Sequence, residues 1–274
     1  MSRSKQIIAG AAVILSSLSC LPAVAAESVT IGSVAMDIPV EMIKRFEPLT
    51  HYLSDKTGIS VTFRPSANLA SAVEDLGKNQ TQISYLTPVA YVEAHEKYQA
   101  VPLVAPTING KPDFTLVIVA RNPSKIMTPM DLKGKRFAFG DEKALLQKAA
   151  VASMGLKSAD FSKFAYLKHY DNIAKAVIAG DFDGGILKDT VADEFKNKGL
   201  KIIGTTPPLA SYVFAVNKDT PKPIVDKLKV AFLSLKNKGA DAAVLAAFDS
   251  SYDGFVAIED KDYDQIRTLI APFK

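Results

Sequence analysis

The residues best placed to bind a ligand follow a short apolar strand, residues 136–139, at the turn Gly140-Asp141. An Ala/Leu-rich stretch, typical of a helix, comes directly after this turn. A helix that begins at the end of a strand has unpaired backbone N–H groups at the carboxyl edge of the sheet, where open α/β folds bind ligands. The sequence therefore predicts a ligand site at this edge. Its candidate residues are Asp141, Lys143, Ala144 and Leu145.

A second strand-to-helix turn, at Thr87-Pro88, has the same character. Thr87 is a preferred N-cap residue and Pro88 suits the first helical position. The first turn of this helix should therefore also lie outside the carboxyl end of a strand. Tyr85 and Tyr91 lie beside it and complete one candidate wall of the site. The alternative is an ordinary helix cap with core aromatic residues, and the sequence leaves both interpretations open.

Polar residues follow other strands as well. His169 and Tyr170 stand at a turn before a helix, and an imidazole changes its charge near neutral pH. Asp189 follows the strand 184–187, and Met36 and Asp37 follow the first strand. These residues could reach a ligand. The alternatives are helix capping around His169 and at Asp189, and a solvated loop at Met36 and Asp37.

Motifs of common enzyme classes are absent. His51, His95 and His169 form neither a His-x-x-His nor a His-x-x-x-His pair, so the sequence predicts no metal site. Neither a Gly-x-Ser-x-Gly turn nor a phosphate-binding Gly-x-x-x-x-Gly-Lys loop is present. We therefore predict a binding protein that is not an enzyme and has no cofactor.

The first 26 residues have the pattern of a secretory signal peptide. Arg3 and Lys5 precede an apolar run from Ile7 to Leu18, and small residues up to Ala26 provide a cleavage site. The run is shorter than the ~20 residues of a membrane-spanning helix. The residues before Cys20 make a poor lipoprotein signal. The sequence therefore predicts export to the periplasm without a lipid anchor.

Removal of this segment would leave a nearly neutral chain without cysteine. The formal net charge falls from +4 to +2, because Arg3 and Lys5 are lost and the segment contains no acidic residue. A charge this small argues against a nucleic-acid partner. No later stretch is long and apolar enough to span a membrane, and we expect the mature protein to be a monomer.

Strand and helix patterns alternate along the chain from Ser28, which is typical of parallel strands joined by right-handed helical crossovers. One helix is predicted over 39–56 and ends at Gly58. Its inner face is expected to consist of Ile43, Phe46, Leu49 and Leu53. A second helix is predicted over 69–76, with Leu69 directed inward.

Two such α/β units follow each other. The sequence predicts an α/β fold of two Rossmann-like lobes, joined by two crossing segments, with the ligand cleft between them. We place the first crossing around Asp113 and the second near Tyr212. Residues 27–113 and 213–274 would form lobe 1, and residues 114–212 would form lobe 2.

Several short motifs occur in a characteristic order over nearly the whole mature chain. They are Ile31-Gly32, Pro48-Leu49 with Tyr52-Leu53, Thr57-Gly58, residues 85–91, 131–135 and 137–141, and His169 with Gly180 and Asp183. This order resembles that of the periplasmic phosphonate/phosphate/phosphite-type solute receptors of ABC transporters. The resemblance implies a type II periplasmic-binding-protein fold that closes over a small oxyanion and delivers it to an ABC transporter permease. It also implies a ligand contact at His169, and an acidic contact to a ligand ammonium near Asp189.

The ligand motif of that family is altered in this chain. The receptors carry a Ser-Thr-Ser-Gly run after the turn that corresponds to Gly140-Asp141, where this sequence has Ala144 to Gln147. Hydroxyl donors to an oxyanion are thereby replaced with apolar side chains. This leaves two alternatives to an oxyanion receptor. One is the same fold with an amphipathic or lipid-like ligand, and the other is a ligand-binding module associated with a sensor.

Overall fold

Residues 27–142 and 144–274 are described by a computed structural model in which strands and helices alternate. In chain order the strands are β1 (Ser28–Ser33), β2 (Ser60–Pro65), β3 (Ile83–Leu86), β4 (Val101–Thr107), β5 (Asp113–Phe114), β6 (Leu116–Arg121), β7 (Arg136–Phe139), β8 (Lys163–Tyr166), β9 (Gly184–Lys188), β10 (Leu200–Thr205), β11 (Leu209–Ala210), β12 (Val213–Val216) and β13 (Gly254–Ala257). The helices are α1 (Pro39–Thr57), α2 (Leu69–Gly77), α3 (Pro88–Tyr98), α4 (Leu145–Ser153), α5 (Tyr170–Ala179), α6 (Asp189–Phe195), α7 (Lys222–Ser234), α8 (Ala242–Phe248) and α9 (Asp264–Ile270). The predicted signal peptide, including Cys20, and the candidate residue Lys143 lie outside the described residues.

The strands form two large sheets. The first has the order β13-β4-β12-β3-β1-β2, and the second has the order β10-β6-β9-β7-β8. The chain leaves the first sheet after β4 and returns to it at β12, after β10. This is the predicted two-lobed α/β fold, which the structure confirms.

Strand direction differs from the expectation of parallel strands throughout. β1 is parallel to β2 and β3, and β7 is parallel to β8 and β9. β12, however, is antiparallel to β3 and β4, and β6 is antiparallel to β9 and β10. β6 and β12 each follow a crossing segment from the other lobe. Each enters its sheet at the edge where its neighbouring strands end, and therefore runs in the opposite direction. The expectation was wrong for these strands because a local pattern does not encode the edge at which a strand enters its sheet.

The two crossing segments are hydrogen-bonded to each other. β5 and β11 form a two-stranded antiparallel ribbon in which Leu209 pairs with Phe114. Nearby, the Leu116 N–H donates to Oγ1 of Thr206 at 3.0 Å, and the Thr206 N–H donates to the carbonyl of Leu116 at 2.9 Å. We call residues 113–114 and 209–210 the hinge ribbon. Both connections between the lobes pass through it.

Helix α1 covers one face of the first sheet. It ends at Gly58, which has a φ of 71° and whose N–H donates to the Ser54 carbonyl at 2.9 Å, as expected for a glycine C-cap. Its buried apolar residues are Met42, Phe46, Leu49, Tyr52 and Leu53.

Two of the predicted inward residues are on the surface. Ile43 is 47% exposed because the buried face of α1 runs through the neighbouring Met42. Leu69 is 39% exposed at the first position of α2, where Val73 and Leu76 are buried. Both positions are consistent with a helical period of 3.6, so the pattern alone did not separate the edge of the apolar stripe from its centre.

The C-terminal helix α9 packs against both lobes. It contacts α3 beside the first sheet and α4 beside the second. Its buried residues Ile266, Leu269 and Ile270 belong to one apolar cluster that also includes Leu86 of β3 and Phe139 of β7. The lobes are therefore joined by packing as well as by the hinge ribbon.

Candidate functional site

A cavity of about 180 Å³ lies where the edges of the two sheets meet beside the hinge ribbon. Met36, Arg45, Tyr85, Phe248, Asp249 and Tyr252 line it from the side of the first sheet. Tyr212 reaches it from the second crossing segment, and Lys188 from the end of β9 in the second sheet. We call this the hinge cavity. Side chains from both lobes line it, as a binding site between two lobes requires.

Aromatic side chains form one wall of the hinge cavity. The Tyr85 ring stacks on the Tyr212 ring with centroids 5.2 Å apart, and meets the Phe248 ring edge-on at 5.2 Å. The hydroxyls of Tyr85 and Tyr252 are 2.7 Å apart and share a hydrogen bond. Burial raises the pKa of both phenols, so both stay neutral and one of them keeps a free O–H to donate.

Lys188 supplies a positive charge at the cavity. Its ammonium lies 4.6 Å from the ring centre of Phe114 and 5.9 Å from that of Tyr212, so it packs on both crossing segments. Burial lowers the pKa of Lys188, with Asp189 and Asp249 acting in the opposite direction from further away. Among residues 27–142 and 144–274, no carboxylate forms an ion pair with this ammonium.

Two more charged groups line the hinge cavity. Arg45, on α1, makes no hydrogen bond or ion pair within the described part of the chain. Asp249 follows α8, and its Oδ1 accepts hydrogen bonds from the N–H of Ser251 at 2.9 Å and from the Ser251 hydroxyl at 2.6 Å. One oxygen of the carboxylate is thus held by its own loop.

The turn after β7 differs from the expected arrangement. Helix α4 begins at Leu145 and not directly after Gly140-Asp141, so its first turn is separated from the end of the strand. The Gly140 N–H donates to Oε1 of Gln147 at 2.8 Å. A Cβ at Gly140 would lie 2.6 Å from Nε2 of Gln147, so a side chain at this position would displace the Gln147 amide. The Gly140 N–H is therefore already paired with the buried Gln147 side chain.

Gln147 also connects this turn to the next one. Its Nε2 donates to the hydroxyl of Tyr170 at 3.2 Å, and burial raises the pKa of Tyr170 to about 12 although this hydrogen bond lowers it. His169 precedes Tyr170 at the N-cap of α5, and its side chain is exposed. The structure thus brings the turns after β7 and β8 together, with Tyr170 directed to Gln147.

The candidates around Asp141 are placed as follows. Asp141 is exposed, and it already interacts with another group of the protein. Ala144 is the N-cap residue of α4. Leu145 and Leu146 are partly buried and pack against the large apolar cluster. Part of the apolar surface that suggested an amphipathic ligand is therefore used in the protein core.

The Thr87 turn caps α3 as its residue types indicate. The Thr87 hydroxyl accepts a hydrogen bond from the Ala90 N–H at 3.2 Å, and Pro88 is buried at the first helical position. Tyr91 is fully buried and donates to Oδ1 of Asp260 at 2.6 Å, which places it outside the hinge cavity. In this structure Tyr91 connects α3 to the segment before α9.

Two acidic candidates bond to the backbone. Oδ2 of Asp189 accepts from the N–H of Thr115 at 2.9 Å and from its hydroxyl at 3.1 Å, and Oδ1 accepts from the Thr190 N–H at 2.8 Å. Asp189 therefore fastens α6 to the first crossing segment. Asp37 is exposed, and its carboxylate accepts from the Ile38 N–H at 2.8 Å.

Of the predicted site residues, Met36 and Tyr85 meet in the hinge cavity, whereas the other described candidates lie outside it. Sequence reasoning missed the other lining residues, among them Arg45, Lys188 and Tyr252. Lys188 could have been found from the sequence, because it is the last residue of β9 and directly precedes Asp189, a predicted site residue. Arg45 and Tyr252 had none, because each lies far along the chain from the strand ends that it meets.

The described residues hold no group of three or more His, Cys, Asp or Glu side chains arranged to bind a metal ion. Within the same ranges, no helix is long and apolar enough to cross a membrane.

Comparisons with known proteins agree with the fold and the resemblance. The family described as the periplasmic substrate-binding protein of phosphonate ABC transporters matches residues 31–263. The phosphate-import protein PhnD of Mycolicibacterium smegmatis is 25% identical over 270 residues, covering 88% of this chain and 84% of that protein. These findings give no support to the lipid-like or sensor alternatives.

Solved structures show the same architecture. PhnD1 of Prochlorococcus marinus, in complex with methylphosphonate, matches with a TM-score of 0.70 at 19% identity, over 90% of this chain and 98% of that one. The binding component of a Pseudomonas aeruginosa phosphonate transporter matches with a TM-score of 0.66 at 18% identity, over 89% of this chain and 86% of that one. The chain belongs to the periplasmic substrate-binding proteins of phosphonate ABC transporters.

Proposed function

We propose that this protein binds a small phosphonate- or phosphate-type oxyanion between its lobes and presents it to an ABC transporter permease. The observation that carries the proposal is the hinge cavity, because Lys188 reaches it from one sheet and Tyr85 from the other. A ligand that contacts both sheets stabilises the closed arrangement by its difference in affinity for the two states. Residues 27–113 with 213–274, and residues 114–212, are the two bodies that would close.

The finer points of the proposal follow from the sequence. The protein would act as a periplasmic monomer after removal of the segment 1–26, without enzymatic activity and without a nucleic-acid partner. Family membership supports the transport role, and the small net charge argues against nucleic acid.

The test is a thermal-unfolding series on the mature protein after unfolding and refolding to remove any carried ligand. Phosphate, phosphite, methylphosphonate, aminoethylphosphonate and sulfate are added separately. A ligand present at a hundred times its Kd adds about 2.7 kcal/mol. For a chain of this size the melting temperature should then rise by roughly 5–10 °C. If no phosphorus oxyanion raises it, the proposed ligand class is wrong.

A further inference from the structure

The polar groups that line the hinge cavity are mostly hydrogen-bond donors. Lys188 and Arg45 donate only, and Tyr212 has a hydroxyl that forms no hydrogen bond within the described residues. The Tyr85–Tyr252 pair has one O–H more than its mutual hydrogen bond uses. A cavity with this excess of donors is complementary to a group that accepts hydrogen bonds from several directions.

The charges lead to the same conclusion. Lys188 and Arg45 approach from different lobes, whereas Asp249 is the one carboxylate among the described residues that line the cavity. Ser251 already occupies one oxygen of Asp249 through two hydrogen bonds. Asp189, the carboxylate next to Lys188 in the chain, is bonded to Thr115 and Thr190. A partly buried ammonium without a carboxylate partner is costly, and a bound anion would remove that cost.

The turn after β7 offers less to an anion. Gln147 takes the Gly140 N–H, and the side chains that begin α4 are Ala144 and Leu145 in place of hydroxyls. The Asp141 carboxylate stands at the same turn, exposed, and would repel a negative ligand. Among the described residues, side-chain donors to an oxyanion are therefore more numerous at the hinge cavity than at this turn.

We propose that the anionic group of the ligand is bound in the hinge cavity by Lys188, together with Arg45 and the tyrosine hydroxyls. This inference rests on the proposed function for the ligand class, and it names the residues that hold the charge. The cavity, at about 180 Å³, is smaller than the ~300–1,000 Å³ typical of sites for drug-sized ligands, so it suits a small ion such as phosphate or methylphosphonate. Lys188 also disfavours an ammonium substituent on the ligand, because like charges would meet.

The experiment measures Kd by calorimetry for phosphate, methylphosphonate and aminoethylphosphonate, with wild type and Lys188→Met. Methionine keeps the apolar stem and removes the charge. Lys196→Met is the matched control, because Lys196 is an exposed lysine whose one ion pair among the described residues is with Asp193 at 3.2 Å. A lost charged hydrogen bond should weaken methylphosphonate binding about tenfold to a hundredfold in Lys188→Met and leave Lys196→Met unchanged.

A second substitution guards against a folding defect at position 188. Arg45→Gln removes the other cation from the opposite lobe, and it should also weaken anion binding by about tenfold or more. Circular dichroism of each variant without ligand checks that it is folded. Loss of affinity in both folded variants, with the control unchanged, supports the inference. Methylphosphonate binding that is unchanged in both variants overturns it and leaves the proposed function standing.

A failure of the proposed function gives a different result. If wild type binds no phosphorus oxyanion, sulfate and succinate are used as anion probes on the same variants. Binding of either probe that depends on Lys188 supports the anion site while the phosphonate ligand class is abandoned. If wild type binds none of these anions, both are overturned. Tighter binding of aminoethylphosphonate than of methylphosphonate contradicts the expected exclusion of an ammonium group.

Discussion

At the scale of single residues, the hydroxyl pair of Tyr85 and Tyr252 connects the end of β3 to the loop after α8 inside the wall of the hinge cavity. Tyr85 is 2% exposed and Tyr252 is 9% exposed, so neither phenol is freely solvated. Each hydroxyl needs the other as a partner, and the pair also orients the Tyr85 ring against Tyr212. One hydrogen bond thus serves both stability and the shape of the cavity.

Tyr85→Phe should lower the free energy of unfolding by about 1–2 kcal/mol, because it leaves the buried Tyr252 hydroxyl without its partner. Urea unfolding followed by circular dichroism measures the change. Tyr98→Phe is the control, because the Tyr98 hydroxyl donates to the less buried Glu74 at 2.6 Å, and its loss should cost less. Equal losses in the two variants would show that the buried pair has no special role in stability.

At the scale of elements, an ion pair ties two neighbouring strands of the second sheet together at the edge away from the cleft. Asp183, just before β9, accepts from the Arg136 backbone N–H at 2.9 Å and from its Nε and Nη2 at 3.1 Å each. Arg136 begins β7, and its Nη2 also donates to the Gly180 carbonyl at 2.8 Å. These contacts set the register in which β7 and β9 place Gly140 and Lys188 at the opposite edge.

This ion pair should make stability depend on acid pH. Hydrogen bonds from Arg136 hold the pKa of the Asp183 carboxyl below its ordinary value. A carboxyl whose pKa is lower in the folded state stabilises the protein above its unfolded pKa of about 3.9, and that stability is lost as the pH falls through the lowered value.

Asp183→Asn should therefore reduce the melting temperature at pH 6. Below about pH 4 its melting temperature should fall less steeply with pH than that of wild type. Thermal unfolding followed across that range measures both effects. Asp193→Asn is the control, because Asp193 is 65% exposed and makes a single ion pair with Lys196, so its substitution should have little effect at either pH. If the melting temperature of Asp183→Asn falls with pH as steeply as that of wild type, the ion pair is not a source of the pH dependence.

At the scale of the whole molecule, two connections join the lobes. The hinge ribbon lies beside the cavity, and α9 packs on α3 of one lobe and α4 of the other. If the lobes close about this ribbon as proposed, the distance between Lys188 and the first lobe changes, and α9 would resist wide opening. A ligand shifts this equilibrium only by as much as it binds the closed form more tightly.

A saturating oxyanion ligand should lower the radius of gyration measured by small-angle X-ray scattering, because both lobes contact it. Lys188→Met should show a smaller decrease at the same ligand concentration, and Lys196→Met should behave as wild type. A radius of gyration that stays constant while calorimetry shows saturation would mean that binding does not involve closure.

The sequence by itself determined the class of fold and many of its elements. Alternating apolar periods, the Thr87-Pro88 start of α3 and the Gly58 end of α1 are local signals, because caps and periodicity depend on residues a few positions apart. The order of short motifs was enough to indicate the family. The same local reasoning identified Tyr85 and Met36 near strand ends, and both line the hinge cavity.

Only the tertiary structure decided which polar groups meet. The reversal of β6 and β12 depends on the edge at which each crossing strand enters its sheet. Arg45 and Lys188 are far apart in the chain, and they line one cavity because the hinge ribbon folds one lobe against the other. Gln147 is an ordinary helical residue by its sequence, and its hydrogen bond to Gly140 follows from the path of the turn. Such contacts arise between distant segments, so no local pattern carries them.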